Sequence, residues 1–142
     1  SLNDGDYVII GFDLMKNPRL LYQAYNDPEG IFQKFNLYML DRINRELRAD
    51  FVKSNFVQEA HYNAQSQAVE SHVYSIKEQT VQIPELDKEY HFKAWEGIQT
   101  EQSYKFTLRE IEELALENGF EIVEYLFDSR KYYVDPIWRV KK

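Results

Sequence analysis

Glu101 and Ser103 stand two residues apart in Thr100-Glu101-Gln102-Ser103-Tyr104-Lys105-Phe106, a segment that reads as extended. Side chains at i and i+2 of a strand point to the same face about 7 Å apart, so this carboxylate and hydroxyl can hold one small polar ligand between them. The carboxylate accepts an N–H, and the hydroxyl donates or accepts. A flat ring with two nitrogens, such as imidazole, suits the pair. Spacing alone describes a solvated strand face equally well, since Glu and Ser ordinarily sit on surfaces.

Other residues able to do chemistry are fewer. Tyr25 ends a short apolar stripe and by itself reads as a helix-end aromatic with a packed ring and a wet hydroxyl. Asp13 closes an apolar run, where it either faces a ligand crevice or caps a helix or loop. His61, His72 and His91 lack the i, i+4 or carboxylate-clustered spacing of a metal site and read as structural, so no metal is expected. Asn36 and Asn44 read as ties between loops, and Tyr132, Tyr133 and Trp138 as core and edge. No nucleophile–base pair or phosphate loop marks a small enzyme complete in itself.

The acidic balance narrows the partners. With 24 acids against 17 bases and a formal charge of −7, there is nothing for a phosphate backbone to grip, and nucleic acid is excluded as an expected partner. The absence of cysteine removes disulfides and thiolate metal sites. No run approaches the ~20 apolar residues of a membrane span, and no signal peptide is evident, so a cytoplasmic protein without membrane contact is expected. In 142 residues of 44% apolar content, one core is the default. A chain opening on Ser1 and entering a strand by residue 7 reads as cut from a longer one.

These side chains need a scaffold, and its elements can be read in order. Tyr7-Val8-Ile9-Ile10-Gly11-Phe12 is a short apolar run of the kind buried on both faces of a parallel sheet. Asn17-Pro18 caps a short helix carrying Leu20, Leu21 and Ala24, closed by Tyr25. After the Asp27-Pro28-Glu29-Gly30 turn, Ile31, Phe35, Met39, Ile43 and Leu47 recur at helical spacing and predict a long helix packed on that stripe. Residues 55–106 turn to β texture, with Phe56–Tyr62 and Val69–Ile76 around an Asn63-Ala64-Gln65-Ser66 turn, then Val81–Ile83 and Tyr90–Ala94. One antiparallel sheet is expected there. Thr107 and Glu110 form a capping box for a helix whose buried face is Leu108, Ile111, Leu114 and Ala115 and whose end is Gly119. Phe120–Phe127 and Tyr132–Val140 close the chain as two strands, with Pro136 at an edge or a bulge. Alone, this order is an ordinary α+β domain.

Four blocks in order carry a resemblance: Gly5-Asp6-Tyr7 through Gly11-Phe12-Asp13-Leu14; Ala24-Tyr25-Asn26-Asp27-Pro28-Glu29-Gly30 with Phe35-Asn36; Ile43-Asn44-Arg45-Glu46-Leu47-Arg48-Ala49-Asp50-Phe51; and the Thr-Glu-x-Ser-x-Lys-Phe segment. The chain resembles the C-terminal portion of the histidine-specific, S-adenosylmethionine-dependent methyltransferases of ergothioneine biosynthesis. The resemblance implies an α/β fold in which residues 1–14 are a late strand of a Rossmann-like methyltransferase sheet, residues 15–105 an inserted α+β substrate-recognition domain with antiparallel strands, and residues 106–142 the last helix and terminal strand pair.

It implies transfer of methyl groups from S-adenosylmethionine to the α-amine of histidine. Glu101 and Ser103 would hydrogen-bond the imidazole and Tyr25 the substrate carboxylate. The glycine-rich turn that holds the cofactor is missing, so this piece is expected to carry no catalytic or cofactor-binding residue. It would be inactive alone and prone to self-association through an exposed strand edge. One departure stands out: members acting on histidine tend to carry methionine where this chain has Ser71, which would admit a water or another amino acid if that position lines the ring pocket. A free-standing binding module without transferase activity is the competing reading.

Overall fold

The computed structural model describes residues 2–141, so Ser1 and Lys142 lie outside it. In order the elements are β1 (Tyr7–Ile9), β2 (Phe12–Asp13), α1 (Pro18–Tyr25), α2 (Ile31–Leu47), β3 (Phe56–Asn63), β4 (Ala68–Ser75), β5 (Gln79–Ile83), β6 (Lys88–Phe92), β7 (Gly97–Tyr104), α3 (Leu108–Glu117), β8 (Phe120–Phe127) and β9 (Tyr133–Val140). They form two compact units. One holds residues 2–17, 65–67 and 104–141; the other holds 18–64 and 68–103.

In the first unit β9 lies between two neighbours. β8 pairs antiparallel along one side, from Phe120↔Val140 to Phe127↔Val134. Along the other side β1 pairs at Tyr7↔Arg139 and Ile9↔Ile137, then β2 at Phe12↔Val134. Pro136 falls in the gap between those two short ladders, where its missing N–H costs no bond. β8 carries its bulge between Ile122 and Glu124, close to the same level. On one face of this sheet, α3 sets Ile111 and Ala115 against Phe12, Leu14, Val134 and Trp138. The helix begins where expected: Thr107 accepts from the Glu110 backbone N–H while the Glu110 carboxylate accepts from the Thr107 N–H. It is closed by Gly119 at φ 77°, a conformation only glycine adopts without strain. Leu108 and Leu114, expected on its buried face, are 40% and 37% exposed.

The run at residues 7–12 departs from expectation. Its strands pair antiparallel, and Tyr7 and Ile9 are 58% and 63% exposed. Among the described residues of this unit only β9 neighbours β1, and the helical cover lies over the Phe12–Trp138 side. An apolar composition therefore does not by itself secure burial on two faces.

The second unit holds the β texture, split into two sheets where one was expected: β3-β4-β7 and a β5-β6 hairpin. β3 and β4 pair antiparallel from Phe56↔Ser75 to Asn63↔Ala68. One face of that pair presents Phe56, Gln58, Ala60, Val69, Ser71 and Val73, all buried. α1 packs Leu21 against Ala60 and Val69. α2 packs Leu40 against Phe56 and Val73, together with Phe51 and the hairpin residues Val81, Ile83 and Phe92. The stripe expected on α2 is rotated: Ile31 and Phe35 are 62% and 70% exposed, and the buried residues are Asn36 and Leu40. Met39, Ile43 and Leu47 do pack against the core from its margin. Asn44 ties the helix to the following loop as expected, donating to the Phe51 carbonyl at 2.7 Å and accepting its N–H at 2.9 Å.

Candidate functional site: a polar-ended cleft beside Tyr25 and Ser103

The site begins with how α1 is held. Asn26, just past its end, donates to the Ala60 carbonyl at 2.8 Å and accepts the Ala60 N–H at 2.9 Å. It thereby imitates a neighbouring strand at the middle of β3. This two-way bond fixes the position of Tyr25, whose hydroxyl donates to Ser103 Oγ at 2.8 Å. Two residues expected to meet the substrate, far apart in sequence, are thus in direct contact.

Asp27 then turns the chain into α2. Its carboxylate accepts from the Ile31 N–H at 2.8 Å and the Phe32 N–H at 2.9 Å, satisfying donors that a helix start leaves unpaired. These bonds, Phe32 first, hold the Asp27 carboxyl below its ordinary 3.8. A carboxyl depressed in the folded state adds stability above its unfolded value, and that stability is lost as pH falls through the folded value. In urea titrations from about pH 5 down to about pH 2, Asp27→Asn is expected to lose less stability than the wild type. Parallel curves for the two proteins would contradict that role.

With α2 started in this way, Phe32 packs edge-on against Tyr25, ring centroids 4.9 Å apart, and Phe35 tilts against Phe32 at 6.3 Å. A cleft of about 570 Å³ opens between this helix and β7, lined by Phe32, Phe35, Tyr38, Met39, Arg42, Asn36, Thr100 and Glu101. At its inner side Thr100 Oγ1 donates to Asn36 Oδ1 at 2.7 Å. Partial burial along β7 falls on Ile98 and Thr100, then on Glu101 and Ser103, a change of phase that lets Thr100 and Glu101 both border the cleft. The Glu101 carboxylate makes no side-chain hydrogen bond or ion pair among the described residues. The structure therefore brings Tyr25 and Ser103 into contact and places Glu101 in a cleft that neither of them lines, linked to Tyr25 through the ring of Phe32.

Residues outside that trio carry other duties. Asp13 is an anchor within the first unit: its carboxylate pairs with Lys16 and, at 3.0 Å, with Lys105, whose side chain is wholly buried. His61 stacks on His72 with centroids 5.4 Å apart and meets Glu70 at 3.4 Å, while His91 meets Glu78 at 3.1 Å. No cluster of three or more His, Cys, Asp or Glu residues suited to a metal occurs among the described residues. No described helix is long and apolar enough to cross a membrane. Asn26, Phe32 and Thr100 were not singled out from the sequence as site residues. The only signal for Asn26 was its place between Tyr25 and the Asp27 turn, and Thr100 precedes Glu101 in a motif read for its charges.

Fold and cleft together define a mixed α/β protein with antiparallel sheets and a cleft that is aromatic on one side and polar at its inner end. Comparison with known proteins gives the particular kind. The family model described as "Histidine-specific methyltransferase, SAM-dependent" matches residues 1–140. Histidine N-alpha-methyltransferase of Mycobacterium tuberculosis is 37% identical over 105 residues, which are 74% of this chain and 33% of that protein. The protein of the same name from Mycolicibacterium smegmatis is 37% identical over 106 residues, 75% of this chain and 33% of the relative. The chain belongs to the histidine-specific, SAM-dependent methyltransferase family, and its match spans about a third of the length of these relatives.

Proposed function

We propose that this chain is the substrate-recognition part of a histidine α-N-methyltransferase. The observation that carries the reading is the Tyr25–Ser103 hydrogen bond beside an unpartnered Glu101. In this reading Glu101 accepts an imidazole N–H, Ser103 meets the second ring nitrogen, and Tyr25 contacts the substrate carboxylate. Holding both ends of the amino acid aligns its neutral amine, and alignment is the main help a protein can give to an in-line displacement.

S-adenosylmethionine is the methyl donor that the family implies, and its binding groups are not in this piece. The strand-to-helix junction after β2 is Leu14-Met15-Lys16-Asn17, with no glycine for close approach to a nucleotide and with Lys16 bound to Asp13. Cofactor binding is assigned to the remaining length that the relatives possess. In the complete protein, residues 1–14 and 106–142 would belong to a Rossmann-like core sheet and residues 15–105 to the inserted domain. The division of the chain after Asn17 and after Ser103 supports this assignment. A cytoplasmic place in ergothioneine biosynthesis belongs to the same reading.

The test is mass spectrometry of the complete coding sequence with S-adenosylmethionine and mixed amino acids. Methylated histidine is the expected product. Methylation of a different amino acid would keep the reaction class and move the substrate, and a folded protein that methylates nothing would favour a binding module. The 142-residue chain is itself expected to self-associate, because β1 leaves Tyr7 and Ile9 exposed along an edge with no described partner. A sedimentation coefficient independent of concentration would count against that.

A further inference from the structure

A band of polar side chains crosses the interior of the second unit at one level, one each from β3, β4, β7 and α2. Along β3 the inward residues run Phe56, Gln58, Ala60; along β4 they run Val73, Ser71, Val69. The outer members of each series belong to two different apolar clusters, Phe56 and Val73 to one, Ala60 and Val69 to the other. Between them stand Gln58 and Ser71, joined by Thr100 from β7 and Asn36 from α2. Gln58 and Asn36 are each 4% exposed and Ser71 is 0% exposed.

Half of this band is internally satisfied. Thr100 Oγ1 donates to Asn36 Oδ1 at 2.7 Å and approaches the Ser71 carbonyl at 3.2 Å, and Asn36 Nδ2 donates to the Phe32 carbonyl at 3.1 Å. The other half is not: Gln58 Nε2 and Ser71 Oγ are shielded from solvent and have no hydrogen-bond partner among the described residues. Buried polar atoms are almost always paired, by protein or by ordered water. The register sets Ala60 opposite Ser71 and Gln58 opposite Val73, so Gln58 and Ser71 are diagonal neighbours on one face, about 7–8 Å apart at the backbone and within reach of a long side chain.

We propose that Gln58 Nε2 and Ser71 Oγ form a binding site for one internal water molecule. Gln58 donates to it, Ser71 donates or accepts, and the Thr100 oxygen has lone-pair capacity for a third bond, which gives the two to four partners that a buried water requires. Asn36 and Thr100 also line the open cleft, so they stand between that cleft and the water, which supports the cleft's inner wall from behind. The site does not depend on which amino acid fills the cleft, so its failure and that of the transferase reading are separate.

The test uses the 142-residue chain in two measurements. In NMR spectra at low temperature, the Gln58 side-chain amide is expected to show a cross-relaxation peak to a long-lived water, and a high-resolution crystal structure is expected to show an ordered water within hydrogen-bonding distance of Gln58 Nε2 and Ser71 Oγ. Ser71→Ala, which removes one anchor, is expected to abolish the peak while leaving the backbone spectrum in place. Absence of both the peak and the ordered water in the wild type would overturn the site, and so would a peak of undiminished strength in Ser71→Ala. If the variant fails to fold, the wild-type measurements decide alone.

Discussion

Asp13→Ala is expected to destabilise the protein by about 3 kcal/mol, the low end of the about 3–5 kcal/mol for breaking a buried pair by removing one partner. The reason is Lys105, whose side chain is wholly buried with its ammonium 3.0 Å from the Asp13 carboxylate. Removing the carboxylate takes a charged neighbour from a buried ammonium, and breaking a buried pair from one side costs far more than losing an exposed pair. The low end applies because the Asp13 side chain is 30% exposed, so water can partly replace it. The double variant Asp13→Ala with Lys105→Met removes both charges and keeps most of the volume, and it is expected to recover most of the loss. Urea unfolding of wild type, single and double variants provides the comparison. A loss below about 1 kcal/mol for Asp13→Ala, the size of an exposed ion pair, would show that Lys105 does not need this partner.

On the proposed reading, Glu101→Ala in the complete protein is expected to weaken histidine binding by about 1.5–3 kcal/mol, the range for a hydrogen bond to a charged group. In affinity that is roughly ten- to a hundred-and-fifty-fold. Three features combine here: the carboxylate lies in the cleft, it has no competing partner among the described residues, and Ser103 two positions on is already engaged with Tyr25. Glu101→Gln keeps the shape and loses the charge assistance, so its loss is expected to be smaller. Calorimetric titration of histidine into each variant distinguishes these effects. Unchanged affinity in Glu101→Ala would remove Glu101 from the site, whatever the reaction turns out to be.

Features written in adjacent residues were legible in the sequence. The capping box at Thr107 and Glu110, the left-handed end at Gly119, the Asn17-Pro18 helix start and the β3–β4 hairpin all depend on backbone groups a few positions apart. Their residues cannot serve a different partner without leaving those groups unsatisfied. The rotation of α2 was not legible, because Phe35 and Asn36 are adjacent and hydrophobicity alone turns Phe35 inward. Asn36 is tolerated inside because Thr100, distant in sequence, meets its oxygen. Lys105 was hidden for the same reason: a lysine is expected outside unless a carboxylate waits for it, and Asp13 comes from the other end of the chain. At the site, spacing suggested the Glu101–Ser103 pair, whereas Tyr25 came from matched blocks, and its contact with Ser103 depends on the Asn26–Ala60 bond that no local pattern announces.

That bond also bears on how copies of this chain can join. β3 is the outermost strand of its sheet, and a bare edge of this kind is where a foreign extended segment adds itself by zipping main chain to main chain. Asn26 occupies the donor and the acceptor of Ala60 midway along that edge, so an incoming segment finds its ladder interrupted at the centre. At its centre the edge is guarded by that one side chain, and Asn26→Ala is expected to open it for strand addition as well as loosening Tyr25.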